Sequence, residues 1–224
     1  MGRIMRALVV GASGGIGAAL VAALSRQGAD VLGLSRSRDG LDITDEASIA
    51  AHLDQLSGSF DTVLVATGAL ALGEMTPEKS LRSLTGAALL GQFAVNAMGP
   101  ALVLKHAARL LPRDRPARFA ALSARVGSIG DNALGGWYSY RAAKAALNQL
   151  IHTGAIELAR SHPQAVVVSL HPGHVSTGLS APFGGALPSV SPDAAADHIL
   201  GVLDQLSPAD TGGFFDWAGK PIVW

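Results

Sequence analysis

Seven residues near the amino terminus, Gly11-Ala-Ser-Gly-Gly-Ile-Gly17, constrain the fold of this chain more than any other feature. They follow an apolar run, Ala7-Leu-Val-Val10, and open a segment rich in Ala and Leu with helical periodicity. A strand that ends in such glycines and turns at once into a helix leaves bare N–H groups at the helix start. The helix dipole adds to them, and together they make a site for phosphate. Gly11 permits the tight turn, Gly15 lets the backbone approach a pyrophosphate, and Gly17 allows close packing of helix on strand. Ser13, Gly14 and Ile16 complete the loop. A glycine-rich turn without a ligand needs no such order, so the placement after a strand and before a helix points to nucleotide binding.

Along the rest of the chain, short apolar runs alternate with helical patterns. Strands are expected near 7–10, 30–34, 62–66, 118–122, 166–170 and 213–215, and helices near 16–27, 45–56, 86–111, 140–161 and 192–206. That alternation predicts an α/β protein, a Rossmann-type doubly wound parallel sheet in a single domain over residues 1–224, with its ligand at the carboxyl ends of the strands. Apolar residues make up 49% of the chain and aromatics only 5%, so Ala, Val, Leu and Gly must supply the core. Lys plus Arg equals Asp plus Glu, 17 against 17. Nucleic acid and anionic membrane surfaces select a basic excess that this chain lacks. With no Cys, disulfides, thiolate nucleophiles and Cys-ligated zinc are excluded. Residues 83–104 and 161–192 carry no Lys, Arg, Asp or Glu, but Gln92, Asn96 and Pro100 in the first and several Pro and His in the second read as buried core rather than membrane span. A cytoplasmic protein acting on a small molecule is expected.

Two further segments speak to chemistry. The strand 30–34 runs into Ser35-Arg36-Ser37-Arg38. An acid ending this strand in dinucleotide folds bonds the ribose hydroxyls and repels a 2′-phosphate. Here Ser35 takes that place and Arg36 follows, a guanidinium able to grip phosphate in bidentate fashion, so NADP(H) is favoured over NAD(H). In Tyr140-Arg-Ala-Ala-Lys144, Tyr and Lys share one helical face. A neighbouring ammonium stabilises phenolate and lowers the phenol's pKa, which suits Tyr140 to exchange protons with a carbonyl or alcohol oxygen. Tyr138 has Ala142 four residues on and no equivalent Lys. His171 and His174 lie three apart without further ligands nearby, so no metal is expected.

Taken together, the loop 11–17, the Tyr140–Lys144 pair and the segment GSIGDNALGGWYSYRAAKAALNQ over 127–149 resemble the short-chain dehydrogenase/reductase family, nearest its C-factor and sniffer-like carbonyl reductase branch. The resemblance covers almost the whole chain. The family's loop usually reads TGxxxGIG, and Val10 replaces the Thr. It implies that Asp42 meets the adenine amino group with Ile43 against the ring, although Thr44 also suits the cap of the helix that follows. Ala66-Thr67-Gly68 stands where the family has Asn-Ala-Gly beside the cofactor, and Pro172, Gly173, Val175 and Thr177 match its PGxVxT element at the nicotinamide amide. Asn96 matches the Asn that anchors a water linking Lys144 to solvent; alternatively it bends its helix or bonds a neighbouring strand. The family's Ser-Ser-x-x-Gly places Ala124, counted back from Gly127, where a Ser normally binds the substrate oxygen. Ser123 or Ser128 is left to substitute, though strand alternation points Ser123 the other way. The resemblance implies an NAD(P)H-dependent oxidoreductase interconverting a carbonyl and an alcohol, with an NADP(H)-binding regulatory protein of little turnover as the alternative. It also implies a homodimer or homotetramer through the helices 86–111 and 140–161, and a lid over 178–190 with Leu179, Phe183 and Trp137 bordering the substrate.

Overall fold

The computed structural model describes residues 3–179 and 188–224. Six strands, β1 (Arg6–Val10), β2 (Asp30–Leu34), β3 (Thr62–Val65), β4 (Ala117–Leu122), β5 (Ala165–His171) and β6 (Phe214–Asp216), form one sheet in the order β2-β1-β3-β4-β5-β6. Every pairing is parallel. A parallel sheet must be covered on both faces, and side chains that alternate along each strand feed two separate cores. Leu8 and Val10 join Val63, Phe119, Leu147 and Ile151 in one; Ala7 and Val9 join Leu20, Leu24, Ile199 and Leu203 in the other. Helices α3 (Glu46–Leu53), α5 (Gly99–Ala107) and α6 (Tyr138–Leu158) cover the first face, and α1 (Gly15–Arg26) and α7 (Pro192–Gln205) the second. The short helix α2 (Arg36–Asp39) precedes α3, and α4 (Gly86–Phe93) precedes α5. The doubly wound sheet expected from the sequence is the one observed, its strand order reversing beside β1, where the loop 11–17 emerges.

The helix expected over 86–111 is a rod with a faulty middle: α4, a π-helical turn Ala94–Met98, α5, then a 3₁₀ turn Ala108–Leu110. Pro100 has no N–H to offer the Asn96 carbonyl four residues back, so the α-helical ladder cannot run through. By length and composition Gly86–Leu110 would suit a membrane span, yet here it packs against α3, α6 and β3 and buries Gln92 and Asn96. Helix α6 starts two residues before the expected boundary at 140. Thr44 does not cap α3; Asp45 does, accepting from Ala47 N at 3.0 Å, while Thr44 donates both its N–H and its hydroxyl to Asp42. Of the expected lid, Phe183 lies outside the described residues. Its base is closed by backbone bonds from Ser176 N to Val190 O and from Val190 N to His174 O, each 2.9 Å, with Leu179 exposed.

Candidate active site

The phosphate loop is clamped at both ends. Gly11 sits at φ 92°, and a Cβ there would lie 2.8 Å from Ala66 O; a Cβ on Gly17 would lie 2.1 Å from Gly11 O. Only glycine tolerates either position. At Gly15 the neighbour is Thr177, whose Cγ2 would be 2.8 Å from an added Cβ, so the segment after β5 meets the loop from above. Ser13, Gly14 and Gly15 are exposed and Ile16 is half-buried. Helix α1 has no side-chain cap and no acid in its first turn, which leaves its leading N–H groups for an anion. Thr67 Oγ1 is buried without a partner in the same corner. A cradle that no side chain may enter, an uncapped helix start and an orphaned hydroxyl fit a dinucleotide's phosphates and ribose. Pro172, Gly173 at φ 81° and buried Val175 follow β5 alongside.

At the end of β2 the structure corrects the sequence. Ser35 is 3% exposed, and its N–H and hydroxyl both donate to Asp39 Oδ2, at 2.7 and 3.1 Å. Its Oγ also accepts from Arg38 N at 3.3 Å. An acid therefore does stand at this strand end, folded back from four residues downstream, and Arg36 and Arg38 are exposed beside it. Asp42 is held below the usual carboxylate range by the Thr44 hydroxyl and N–H. Ile43 is 8% exposed and packs its Cδ1 where Gly99 makes room, so it belongs to the core under α5.

Tyr140 and Lys144 meet beyond the end of β4. Lys144 is buried, its Nζ donates to Leu122 O at 2.8 Å, and it lies 5.9 Å from the Tyr140 ring centroid. Gly127 presses on the Lys144 backbone, where a Cβ would lie 2.8 Å from it. Asn96, fully buried in the π-turn, donates from Nδ2 to Ala69 O at 2.8 Å and to Gln92 Oε1 at 2.6 Å, and accepts from Ala69 N at 3.2 Å. The amide is thus bonded to the segment after β3, while a Cβ on Gly68 would lie 3.0 Å from Asn96 Oδ1 and 3.7 Å from Lys144 Nζ. Gln92 completes the chain by donating to Leu70 O at 3.0 Å, a role the sequence signalled only by its i, i+4 spacing to Asn96.

With this geometry in place, comparison with known proteins decides the family. The short-chain dehydrogenase/reductase profile described as enoyl-(acyl carrier protein) reductase matches residues 11–212. The 1-hydroxy-2-glutathionyl-2-methyl-3-butene dehydrogenase of Rhodococcus sp. (strain AD45) is 31% identical over 232 aligned residues, spanning 97% of this chain and 98% of that one. The chain belongs to the short-chain dehydrogenase/reductase family. The C-signal protein of Myxococcus xanthus is 38% identical over 136 residues, 59% of this chain and 76% of its own. A short-chain dehydrogenase/reductase from Burkholderia multivorans solved with bound NADP superposes with a TM-score of 0.82 at 27% identity, covering 99% of this chain and all of that one. The carbonyl reductase Sniffer of D. melanogaster shares the fold, with a TM-score of 0.82 at 20% identity and the same coverage.

Against the family pattern, this dehydrogenase/reductase departs at the serine. Ser123 Oγ donates to Asn148 Oδ1 on α6 at 2.7 Å and is buried; Ser128 Oγ, also buried, accepts from Asp131 N at 3.0 Å. Ser123 commits its donor within the protein, to Asn148, and is a structural contact here, whereas Ser128 serves as an acceptor. Half-buried Ala124 stands alone at the position. His171 has a buried, unpartnered Nδ1, and burial pushes it down to about 4, which keeps it neutral next to Pro172. Among the described residues no three potential ligands cluster for a metal.

The expected lowering of the Tyr140 pKa is not found in the protein alone. Burial pushes the phenol up to about 12 and the Lys144 ammonium down to about 7. Burial sets both directions, because neither charged form has water. Lys144 thereby costs stability. Its folded pKa lies below the ordinary 10.5, so between about 7 and 10.5 the unfolded chain holds a proton that the folded chain does not, and stability rises with pH across that window. Lys144→Met is expected to flatten that rise and to stabilise the cofactor-free protein at pH 7 by on the order of 2–4 kcal/mol, the lost Leu122 bond offsetting part of the gain. Urea melts of both proteins at pH 7 and pH 9 check this; a variant less stable at pH 7 contradicts it.

Proposed function

We propose that the chain is an NADPH-dependent oxidoreductase that reduces a carbonyl to an alcohol, reversibly, with Tyr140 as the acid and base. The observation that carries the reading is the meeting of Tyr140, Lys144 and Asn96 beside Gly68, at the same strand ends as the glycine cradle. Residues 11–17, Thr67 and 172–177 would hold the dinucleotide, which when bound supplies the hydride. Tyr140 Oη gives its proton to the substrate oxygen as negative charge develops there. Lys144 Nζ, close to neutrality in its pKa, then restores the proton to the phenolate, since it can both hold and release one near pH 7. Asn96 keeps the segment after β3 and the buried end of Lys144 in register for that transfer.

NADP(H) is favoured because Arg36 and Arg38 are exposed at the end of β2 beside Ser35, where they could pair with a 2′-phosphate, and the B. multivorans relative was solved with NADP. Asp39 opposes this preference: a 2′-phosphate that reaches Ser35 must displace a carboxylate, whereas a 2′-hydroxyl can simply donate to it. Asp39→Asn is expected to tighten NADPH binding about tenfold, roughly 1.4 kcal/mol, with NADH changed less than twofold. Fluorescence titration with each nucleotide measures the ratio; equal shifts for both would remove Asp39 from cofactor choice.

The reading is tested by following NADPH consumption with purified protein across aldehydes, ketones and quinones, and alcohol-dependent NADP⁺ reduction for the reverse direction. The named activity of the Rhodococcus relative, a dehydrogenase of a glutathionyl-bearing alcohol, makes thioether alcohols part of the panel. Substrate-dependent oxidation supports the proposal. Tight NADPH binding with no turnover of any compound would favour the regulatory alternative.

A further inference from the structure

Helix α6 carries both Tyr140 and Lys144, yet it starts without a cap of its own. The residue at its N-cap is Trp137, which makes no side-chain capping bond, and no acid lies in the first turn. Trp137 is also the one non-glycine residue with positive φ among the described residues, at φ 53°, ψ 42°. Such a conformation persists only where the surroundings impose it.

A residue from far upstream, Glu78, holds this start together with Arg141, whose guanidinium donates to Gly135 O, Gly136 O and Val126 O. Trp137 N donates to the backbone oxygen of Glu78 at 2.5 Å, and Ser139 N donates to Glu78 Oε2 at 3.2 Å, across 61 positions of sequence. Gly136, at φ 66°, passes close enough that a Cβ would lie 3.5 Å from Glu78 O. Glu78 is 4% exposed, and its second oxygen, Oε1, is buried with no partner. A carboxylate is rarely buried without a purpose that offsets its desolvation. Placed at a helix start, it meets N–H groups that have no intrahelical acceptor and the positive end of the dipole.

We propose that Glu78 is a positioning residue for Tyr140, capping the catalytic helix from outside and fixing the first turn on which the phenol stands. The inference rests on the reductase reading for its functional part. Tyr140 is the third residue of α6, in the turn that frays first without a cap, and its ring packs edge-on against Trp137 with centroids 6.2 Å apart at 73°. Lys144 is one turn further and is held separately by Leu122 O and by the contact with Gly127. The phosphate loop has no contact with Glu78 in its hydrogen bonds. Loss of the carboxylate therefore displaces Tyr140 while leaving Lys144 and the nucleotide cradle in place.

The test combines hydrogen exchange with kinetics on the full chain. Glu78→Ala is expected to speed exchange of the amides of 138–142 at least tenfold while those of 147–155 keep their protection, and to lower kcat about tenfold with the NADPH dissociation constant unchanged. Glu78→Gln, which retains an oxygen for Ser139 N–H, is expected to recover at least half of kcat and of the protection. Should Glu78→Ala not fold, Glu78→Asp withdraws the carboxylate by one methylene and must show the same local loss at smaller size. Unchanged exchange at 138–142, or faster exchange with kcat intact well below the melting temperature, overturns the proposal. Exchange requires no substrate, so a failure of the reductase reading leaves the cap itself measurable and separately decided.

Discussion

Tyr140→Phe is expected to lower kcat/KM for carbonyl reduction by about a thousandfold, roughly 4 kcal/mol of barrier, with NADPH binding unchanged within twofold. The asymmetry follows from where the groups sit. The nucleotide is cradled by the loop 11–17 and the segment after β5, and Tyr140 touches neither through a hydrogen bond. What the phenol contributes is a proton held beside the substrate oxygen, at an oxygen whose pKa burial has pushed up to about 12. A developing alkoxide is a stronger base than this phenolate, so transfer runs toward the substrate in reduction, and the phenolate left behind faces Lys144. Phe keeps the ring, its edge-on contact with Trp137 and the fold, and removes only the hydroxyl with its proton. Steady-state rates and nucleotide titration on the same preparation separate the two effects. A fall of less than tenfold would show that water or another group supplies the proton.

Ala124→Ser is expected to do the opposite and raise kcat/KM about 10- to 100-fold. Removing one donor to a developing oxyanion costs about two to three orders of magnitude, and a donor restored to a site not tuned for it recovers a part of that. The position is ready to receive it. Ala124 has an extended backbone at φ −148°, ψ 144°, is half-buried, and begins a 3₁₀ turn over Arg125–Gly127 that docks on Lys144. Of the two natural hydroxyls nearby, Ser123 commits its donor to Asn148, and Ser128 is buried and anchored by accepting from Asp131 N. Adding one oxygen to a half-buried methyl disturbs little packing. The variant is compared with the parent on the best substrate of the carbonyl panel, and no gain would mean either that a further donor serves the oxygen or that a step other than chemistry limits the rate.

Those parts of the account that were legible in the sequence are the local ones. The loop 11–17 declares itself because strand, glycines and helix are contiguous, and Tyr140–Lys144 because a helix face is a matter of spacing. The sheet followed from alternation, with strand ends displaced by a residue or so, as at β6, expected from 213 and found from Phe214. What stayed hidden acts across space. Asp39 returns to Ser35 only because α2 is a single turn, which turns an apparently missing acid into one that arrives from downstream. Glu78 reaches the start of α6 from a different part of the chain, and no motif marks it. Ser123 is available by its position in sequence, but Asn148, one turn beyond Lys144, holds it across space. The direction of the Tyr140 shift is hidden for the same reason: the spacing to Lys144 is visible in sequence, whereas the burial that raises the phenol is not.

The most direct test of hydride transfer assisted by Tyr140 is the fate of the label when NADPH deuterated at the transferring carbon is incubated with protein and a reducible aldehyde or ketone. One deuterium is expected on the former carbonyl carbon of each alcohol formed, on a single face, with about a thousandfold less labelled alcohol from the Tyr140→Phe protein over the same time. Alcohol formed without deuterium at that carbon, or labelled equally fast by both proteins, would contradict this mechanism.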